Sequence, residues 1–392
     1  MRWHVVHERL TDWAGSEAVA HAATRALHAP ALHTLVHDPR AVPPSQLEGV
    51  QVRTTPLQRL PRALRHRRAL LPLWPWAIEQ LDLRDADAVL SSHHAVAKGV
   101  ITRADQPHVC YVHSPARWAW DLAAEEAQAR RLRGPKGLLV SRVLHRFRAW
   151  DTASANRVDL FLANSNAVAQ RIARWYRRPS RVLPPPVRVD HFAFDPGEAR
   201  GDHYLVAGRL VPYKRAADAV AACAKTQRAL RVVGDGPHRK ALEGWARAQG
   251  AKVEFLGEVS DDRFAQELRR ARALLMPQHE DFGIVAVEAM AAGTPVVALG
   301  RGGALDTVVP ARTGVLYDHP GPQGLADAIQ RFESLEGAFD PAELLAHARR
   351  FDQAVFEQAL SSAAQGFASF FAQHGPAHDL DQRFLHEFDP AA

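Results

Sequence analysis

Two glutamates eight residues apart, Glu280 and Glu288, sit in the stretch His279–Gly303, and what lies between and behind them limits what their carboxylates can do. Glu280 falls in a loop after the apolar run Ala273–Pro277. Glu288 falls inside a run of helix formers that stops at Gly293 and Pro295, an ordinary pair of helix-ending signals. The pattern predicts a helix from near Ile284, leaving the amides of Gly283, Ile284 and Val285 without intrahelical partners and aimed at whatever precedes the helix. Such a terminus binds anions. Four residues on from Ile284, Glu288 shares that face about 6 Å further along the axis. An acceptor carboxylate beside an anion hole suits a pair of ribose hydroxyls next to a phosphate. Glu280, with the backbone of Phe282 and Gly283, then stands where a second polyhydroxyl group would lie on the phosphate's other side. The flexible turn Gly300–Ala304 offers further amides.

The elements that must position these groups are strands that run into polar loops. The apolar stretch Tyr204–Leu210 delivers Arg209 and Lys214 into one loop, a planar fork of donors and a mobile point charge, the pairing a diphosphate needs. Ala88–Ala95 and Val109–Pro115 each place histidine at the carboxyl end of a strand, the edge where ligands collect in open α/β sheets. Of these, His113, ahead of Pro115 and the Arg117–Asp121 cluster, is a better ligand contact than His93 or His94. Trp3–Val6 reads as a strand, followed by a loop and an Ala-rich helix from Glu17 to about Leu27. There Gly15 permits close backbone approach and Ser16 caps the helix, whose start faces anions. Thr34–Val36, Gly49–Arg53, Asp159–Ala163, Val253–Val259 and Gly314–Tyr317 read as further strands. Arg231–Pro237 lacks the third glycine of a dinucleotide fingerprint, so no nicotinamide or flavin is expected.

Glu280-x7-Glu288, followed by Ala292-Gly293-Thr294-Pro295-Val296-Val297-Ala298 and the Gly302-Gly303 turn, resembles the donor-binding signature of retaining glycosyltransferases of family 4. The resemblance implies an α/β chain with the GT-B fold. It has two Rossmann-like doubly wound domains facing across a cleft and a C-terminal helix that crosses back to the first domain, a course Phe351–Phe371 fits. It implies an acceptor-binding domain over residues 1–190, a nucleotide-sugar-binding domain over 191–365, and a helix end and polar tail at 366–392 on or near the first domain. Arg209 and Lys214 then neutralise the leaving diphosphate, Glu280 holds sugar hydroxyls, His113 meets the transferred sugar, and Glu288 binds the ribose. Gly15 and Ser16 form a phosphate loop, and Glu258 and Val259 lie near the nucleobase. His7–Thr11, Ser91–Gly99 and Glu280–Val285 with Gly302–Leu305 resemble bacterial mannosyltransferases of polysaccharide and O-antigen assembly. That relation implies GDP-mannose as donor and a glycan or polyprenyl-linked acceptor, with a UDP-sugar as the alternative donor. No Asp-x-Asp argues for a metal, and no cofactor is expected. From the residues alone, a glycoside hydrolase with Glu280 and Glu288 as acid and base and a non-catalytic sugar-nucleotide module stay open.

The totals agree with a two-domain chain. There are 392 residues, 47% hydrophobic and 23% charged, too many for one small core. Cys110 and Cys223 cannot build a disulfide framework, and no apolar run is long enough to span a bilayer. A cytoplasmic protein is the expectation, with no exported leader. The net charge of +6 favours an anionic partner, and without a nucleic-acid-binding motif that partner is not expected to be nucleic acid. Two basic stretches offer a peripheral contact with the inner face of the cytoplasmic membrane. One is Leu57–Leu81, with Arg62, Arg65, Arg67, Arg68, Trp74 and Trp76. The other, Arg130–Arg148, carries seven Lys or Arg and no acid, interleaved with apolar residues. Leu183–Val187, with three prolines, reads as the linker, and Ala372–Ala392 as a poorly ordered tail.

Overall fold

The computed structural model describes residues 1–60, 64, 69–124, 127, 134–377 and 379–388. Arg62, Arg65, Arg67 and Arg68 of the first basic stretch, and Arg130, Arg131 and Arg133 of the second, lie outside them. The chain divides into two compact units, Met1–Pro184 with Phe356–Ala392 and Pro185–Val355. The first boundary falls within the proline run Leu183–Val187. The second falls in the first turn of the helix Gln353–His374, because Phe356 and Leu360 already pack into the first unit's core. The divisions expected at 190/191 and 365/366 lie six and ten residues further along the chain.

Among the described residues the first unit holds a seven-stranded sheet. Its strands are β1 (Trp3–His7), β2 (Ala31–Thr34), β3 (Gln51–Thr54), β4 (Ala88–His93), β5 (His108–Val112), β6 (Leu160–Ala163) and β7 (Arg181–Val182). Their order is β3-β2-β1-β4-β5-β6-β7, and every pairing is parallel. Central strands are buried end to end, as sheets covered on both faces require. The expected strand Thr34–Val36 lies instead at Ala31–Thr34. Leu35 and Val36 bond outside the ladder, to the backbone of Glu8 and Leu10. An apolar run longer than its ladder does not reveal which of its residues pair.

The second unit holds a six-stranded parallel sheet of β8 (Tyr204–Ala207), β9 (Leu230–Val233), β10 (Val253–Gly257), β11 (Leu274–Met276), β12 (Val296–Leu299) and β13 (Gly314–Tyr317). Its order is β10-β9-β8-β11-β12-β13. In each sheet the chain winds outward one way and then the other. The reversal lies between β1 and β4 in the first unit and between β8 and β11 in the second, and ligands of open α/β sheets bind beyond the carboxyl ends of such strands.

The tail is not the disordered segment expected. Leu380–Phe388 is a helix whose Leu380, Phe384 and Leu385 enter the first unit's core, where Phe384 meets Phe367 and Phe370 at ring-centroid distances of 5.2 and 5.6 Å. Asp381, nearly fully buried, pairs with Arg178 at 2.7 Å. Three apolar residues in a polar segment suffice for docking when they share a helix face.

Candidate functional site

In the second unit, the loops after β8 and β11 meet at the strand reversal. The Lys214 ammonium donates to Glu280 Oε1 at 2.5 Å, and Gln278 Nε2 donates to the same oxygen at 2.9 Å. Lys214 ends the turn Pro212–Lys214, and with the exposed Arg209 it lines one crevice above β8. The helix predicted from Ile284 runs from Ile284 to Ala291, with Gly283 at its cap in the left-handed region, φ +89°. An L side chain there is strained, so glycine lets the chain turn sharply from the Glu280 loop into the helix. The loop is braced from behind: Gly303 N–H donates to the Glu280 carbonyl at 3.0 Å. A side chain on Gly303 would lie 2.2 Å from the Phe282 carbonyl oxygen, which only glycine avoids. Phe282 itself packs inward on Phe351, ring centroids 5.7 Å apart, so only its backbone is free to serve a ligand.

Ile284 and Val285 are half-buried at the helix start. On the same helix, burial pushes the Glu288 carboxyl up to about 7, with Arg188 pulling down and Asp261 pushing up. Arg188 and Asp261 pair with each other at 2.5 Å. Glu258 is exposed and Val259 half-buried just past β10, on the same carboxyl edge of the sheet.

The first unit concentrates polar groups at its own reversal, beyond β1 and β4. Glu8 is fully buried, and its carboxylate accepts from the amides of His94, Ala95, Val96 and Ala97 at 2.7–3.0 Å. Burial raises this carboxyl, but the His94 and His93 side chains and the amides outweigh it and hold the group well below the usual range. His93, buried with Nδ1 3.4 Å from Glu8, belongs to this cradle rather than to a ligand surface. His113, half-buried, bonds Ser92 Oγ through Nε2 at 2.7 Å. Its ring packs edge-on to His7, His94 and Tyr111, and burial with those imidazoles holds it well below the usual histidine range.

Ser16 does not cap the first helix. That helix is Gly15–Ala26 with Ala14 as cap, and Ser16, already inside it, donates to Glu17 at 2.9 Å. The cap bond comes from the opposite direction, with Ala14 N–H donating to Glu17 at 3.2 Å. Glu17 satisfies the exposed amide more effectively because its longer side chain reaches back from the third helical position. Further on, Lys98 and Asp151 form a buried pair at 2.6 Å, shared with Ser154, Trp120 and Tyr176.

His7, Glu8, Glu17 and Ser92 were not given roles by residue spacing. The available signal was polar groups near the carboxyl ends of two buried strands: His7 and Glu8 at and just past the end of β1, and Ser92 one residue before the end of β4; Glu17 lies in the first turn of the helix after β1.

Two family models match the chain. Residues 195–353 match Glycosyl transferases group 1, and residues 13–191 match Glycosyltransferase Family 4. Each half of the chain is thus similar to a glycosyltransferase family. A D-inositol 3-phosphate glycosyltransferase of Mycobacteroides abscessus is 29% identical over 245 residues, 57% of this chain and 55% of that protein. A GDP-mannose-dependent alpha-(1-6)-phosphatidylinositol monomannoside mannosyltransferase of Mycobacterium tuberculosis is 34% identical over 172 residues, 38% and 45% of the two chains. The chain thus spans about half the length of the curated relatives it matches. Among solved structures, Anabaena HepE in complex with UDP superposes with a TM-score of 0.71 at 19% identity, covering 93% of this chain and 100% of that one. Sucrose-phosphate synthase from Thermosynechococcus elongatus does so at 0.69 and 21%, covering 95% and 100%. The fold is that of the GT-B glycosyltransferases, with two parallel sheets of seven and six strands.

Proposed function

We propose that this protein is a retaining glycosyltransferase that moves mannose from GDP-mannose to a glycan or polyprenyl-linked acceptor. The observation that carries this reading is the meeting of Lys214 and Glu280 at the β8/β11 reversal, beside the start of the helix Ile284–Ala291. A diphosphate at that helix start competes for Lys214 and joins Arg209, which frees Glu280 for the sugar hydroxyls. The acceptor hydroxyl attacks the anomeric carbon from the side on which the diphosphate departs, so configuration is retained. Negative charge growing on the leaving oxygen is met by Lys214, Arg209 and the amides of Gly283, Ile284 and Val285. Fixed positive groups aimed at developing charge usually contribute more to such catalysis than any other effect.

The remaining roles are those the family resemblance implies. Glu288 accepts from the ribose hydroxyls, Glu258 and Val259 border the base, Gly15 and Ser16 approach phosphate, and His113 is the first unit's contact with the sugar. GDP-mannose is supported by the resemblance in the Glu280–Val285 segment and by a GDP-mannose-dependent relative. A UDP-sugar is the second reading, favoured by the fold match to HepE, which has been solved with UDP-glucose. Thermal-shift measurements with a panel of nucleotide sugars decide between them. GDP-mannose is expected to raise the melting temperature most, and selective stabilisation by UDP-sugars overturns the donor assignment.

Contact with an anionic membrane surface belongs to the same proposal. On the helix Gly134–Ser154, Leu138 and Leu139 are 60% and 64% exposed among Lys136, Arg142 and Arg146. Cosedimentation with phosphatidylglycerol vesicles but not phosphatidylcholine vesicles is the expected outcome; equal partition to both refutes an electrostatic contact.

A further inference from the structure

Three buried groups lie in line behind His113. Glu17 Oε1 stands 3.5 Å from His7 Nε2, His7 Nδ1 is 3.1 Å from Ser92 Oγ, and Ser92 Oγ is 2.7 Å from His113 Nε2. Glu17, His7 and Ser92 are each at most 2% exposed, whereas His113 is half-buried.

We propose that Glu17, His7 and Ser92 act as positioning residues that fix the tautomer of His113, leaving its Nδ1 as a hydrogen-bond acceptor for a ligand hydroxyl. The direction follows from what each group can do. An ionised carboxylate only accepts, so the long contact to Glu17 favours the His7 proton on Nε2. Taken as neutral, His7 then presents a lone pair at Nδ1, and the Ser92 hydroxyl has one proton to give it. With that proton committed, Ser92 Oγ accepts from His113, whose proton must sit on Nε2. His113 Nδ1 keeps its lone pair.

Two observations bear on the ends of the chain. Burial raises the Glu17 carboxyl, yet His7, the backbone and Ser16 hold it low, at about 2, which favours the ionised form. Glu17 is also tied to the Ala14 amide and the Ser16 hydroxyl through its other oxygen, so it cannot swing away from His7. A core network that merely satisfied its own members would be buried throughout, and here the last residue is only half-buried.

The chemical consequence is selectivity. A lone pair at Nδ1 welcomes a hydroxyl and repels a carboxylate, so the site takes a neutral hexose and rejects a sugar acid. This substrate preference rests on the reading of His113 as a sugar contact; the tautomer does not.

Long-range proton–nitrogen NMR of the imidazoles tests the chain without any turnover. His7 and His113 are both expected neutral with the proton on Nε2. In Ser92→Ala the His113 signal is expected to move towards a mixture of tautomers, and Ser92→Thr, which keeps a hydroxyl, to restore it. A wild-type His113 protonated on Nδ1, or one indifferent to Ser92→Ala in a folded variant, overturns the proposal. In the kinetic arm, Ser92→Ala is expected to shrink the preference for a nucleotide hexose over the matching nucleotide uronate by roughly two- to tenfold, one hydrogen bond's worth. An unchanged preference overturns the substrate inference. Absence of transfer from every donor, with the tautomers as expected, defeats the transferase reading and leaves the hydrogen-bond chain standing.

Discussion

Lys214 and Glu280, 66 residues apart in sequence, meet at 2.5 Å because β8 and β11 are neighbours in the sheet although β9 and β10 separate them along the chain. The two charges come from loops on either side of the strand reversal, and Lys214 lines the crevice there.

On the proposed mechanism, Lys214→Ala is expected to remove a charge-assisted bond to the leaving diphosphate of about 1.5–3 kcal/mol and to lower the transfer rate roughly ten- to a hundredfold. Glu280→Gln keeps the shape but weakens the hold on sugar hydroxyls. Because the two side chains touch, the double variant is expected to lose less than the product of the single losses. Initial-rate kinetics on the three variants check this, and unchanged turnover in Lys214→Ala removes that residue from the mechanism.

Glu288 carries a stability cost that depends on pH in an unusual sense. Its carboxyl is raised by burial to about 7, above the unfolded value of 4.5. Between those values the folded chain holds a proton the unfolded chain has lost, so stability falls as pH rises through the window. Glu288→Gln is expected to melt higher than the parent at pH 8, by up to about 3 kcal/mol of added stability. The same variant should show a smaller melting-temperature rise with nucleotide, since an amide is a poorer acceptor for two ribose hydroxyls. Melting curves at pH 5 and pH 8 settle the sign; a variant no more stable at pH 8 contradicts it.

Glu8 has the opposite dependence. Held well below its unfolded value of 4.5, it stabilises the fold fully above that pH, and the contribution is lost as pH falls through the folded value. Glu8→Gln puts an amide donor against the amides of His94, Ala95, Val96 and Ala97, costing about 3–5 kcal/mol. It should also flatten the acid limb of the stability curve. Urea unfolding followed by tryptophan fluorescence between pH 3 and pH 7 measures both effects, and an acid limb as steep as the parent's would assign the loss elsewhere.

Phe384→Ala tests the carboxy-terminal helix. The ring fills a pocket against Phe367 and Phe370 in the first unit's core, so its removal is expected to cost about 3–5 kcal/mol. A change below about 0.5 kcal/mol, as for a surface site, would mean that the segment after Gly375 does not dock.

Local patterns determined much of this protein. Apolar runs closed by glycine and proline located the sheet strands other than β7 to within a few residues, and Gly283, Gly293 and Pro295 bounded the helix at Glu288, because backbone conformation there depends on near neighbours alone. The spacing of Arg209, Lys214, Glu280 and Glu288 is the sequence's argument for the anion and hydroxyl site proposed in one half of the chain. What tertiary structure decided were the partners. That Lys214 faces Glu280, that Glu8 is caged by amides some 86 to 89 residues away, and that Ser92 joins His7 to His113 all depend on strand order, and no local period encodes which strand lies beside which. The docking of Leu380–Phe388 was hidden for the same reason: an amphipathic turn in a polar tail becomes a helix only when a core receives its apolar face.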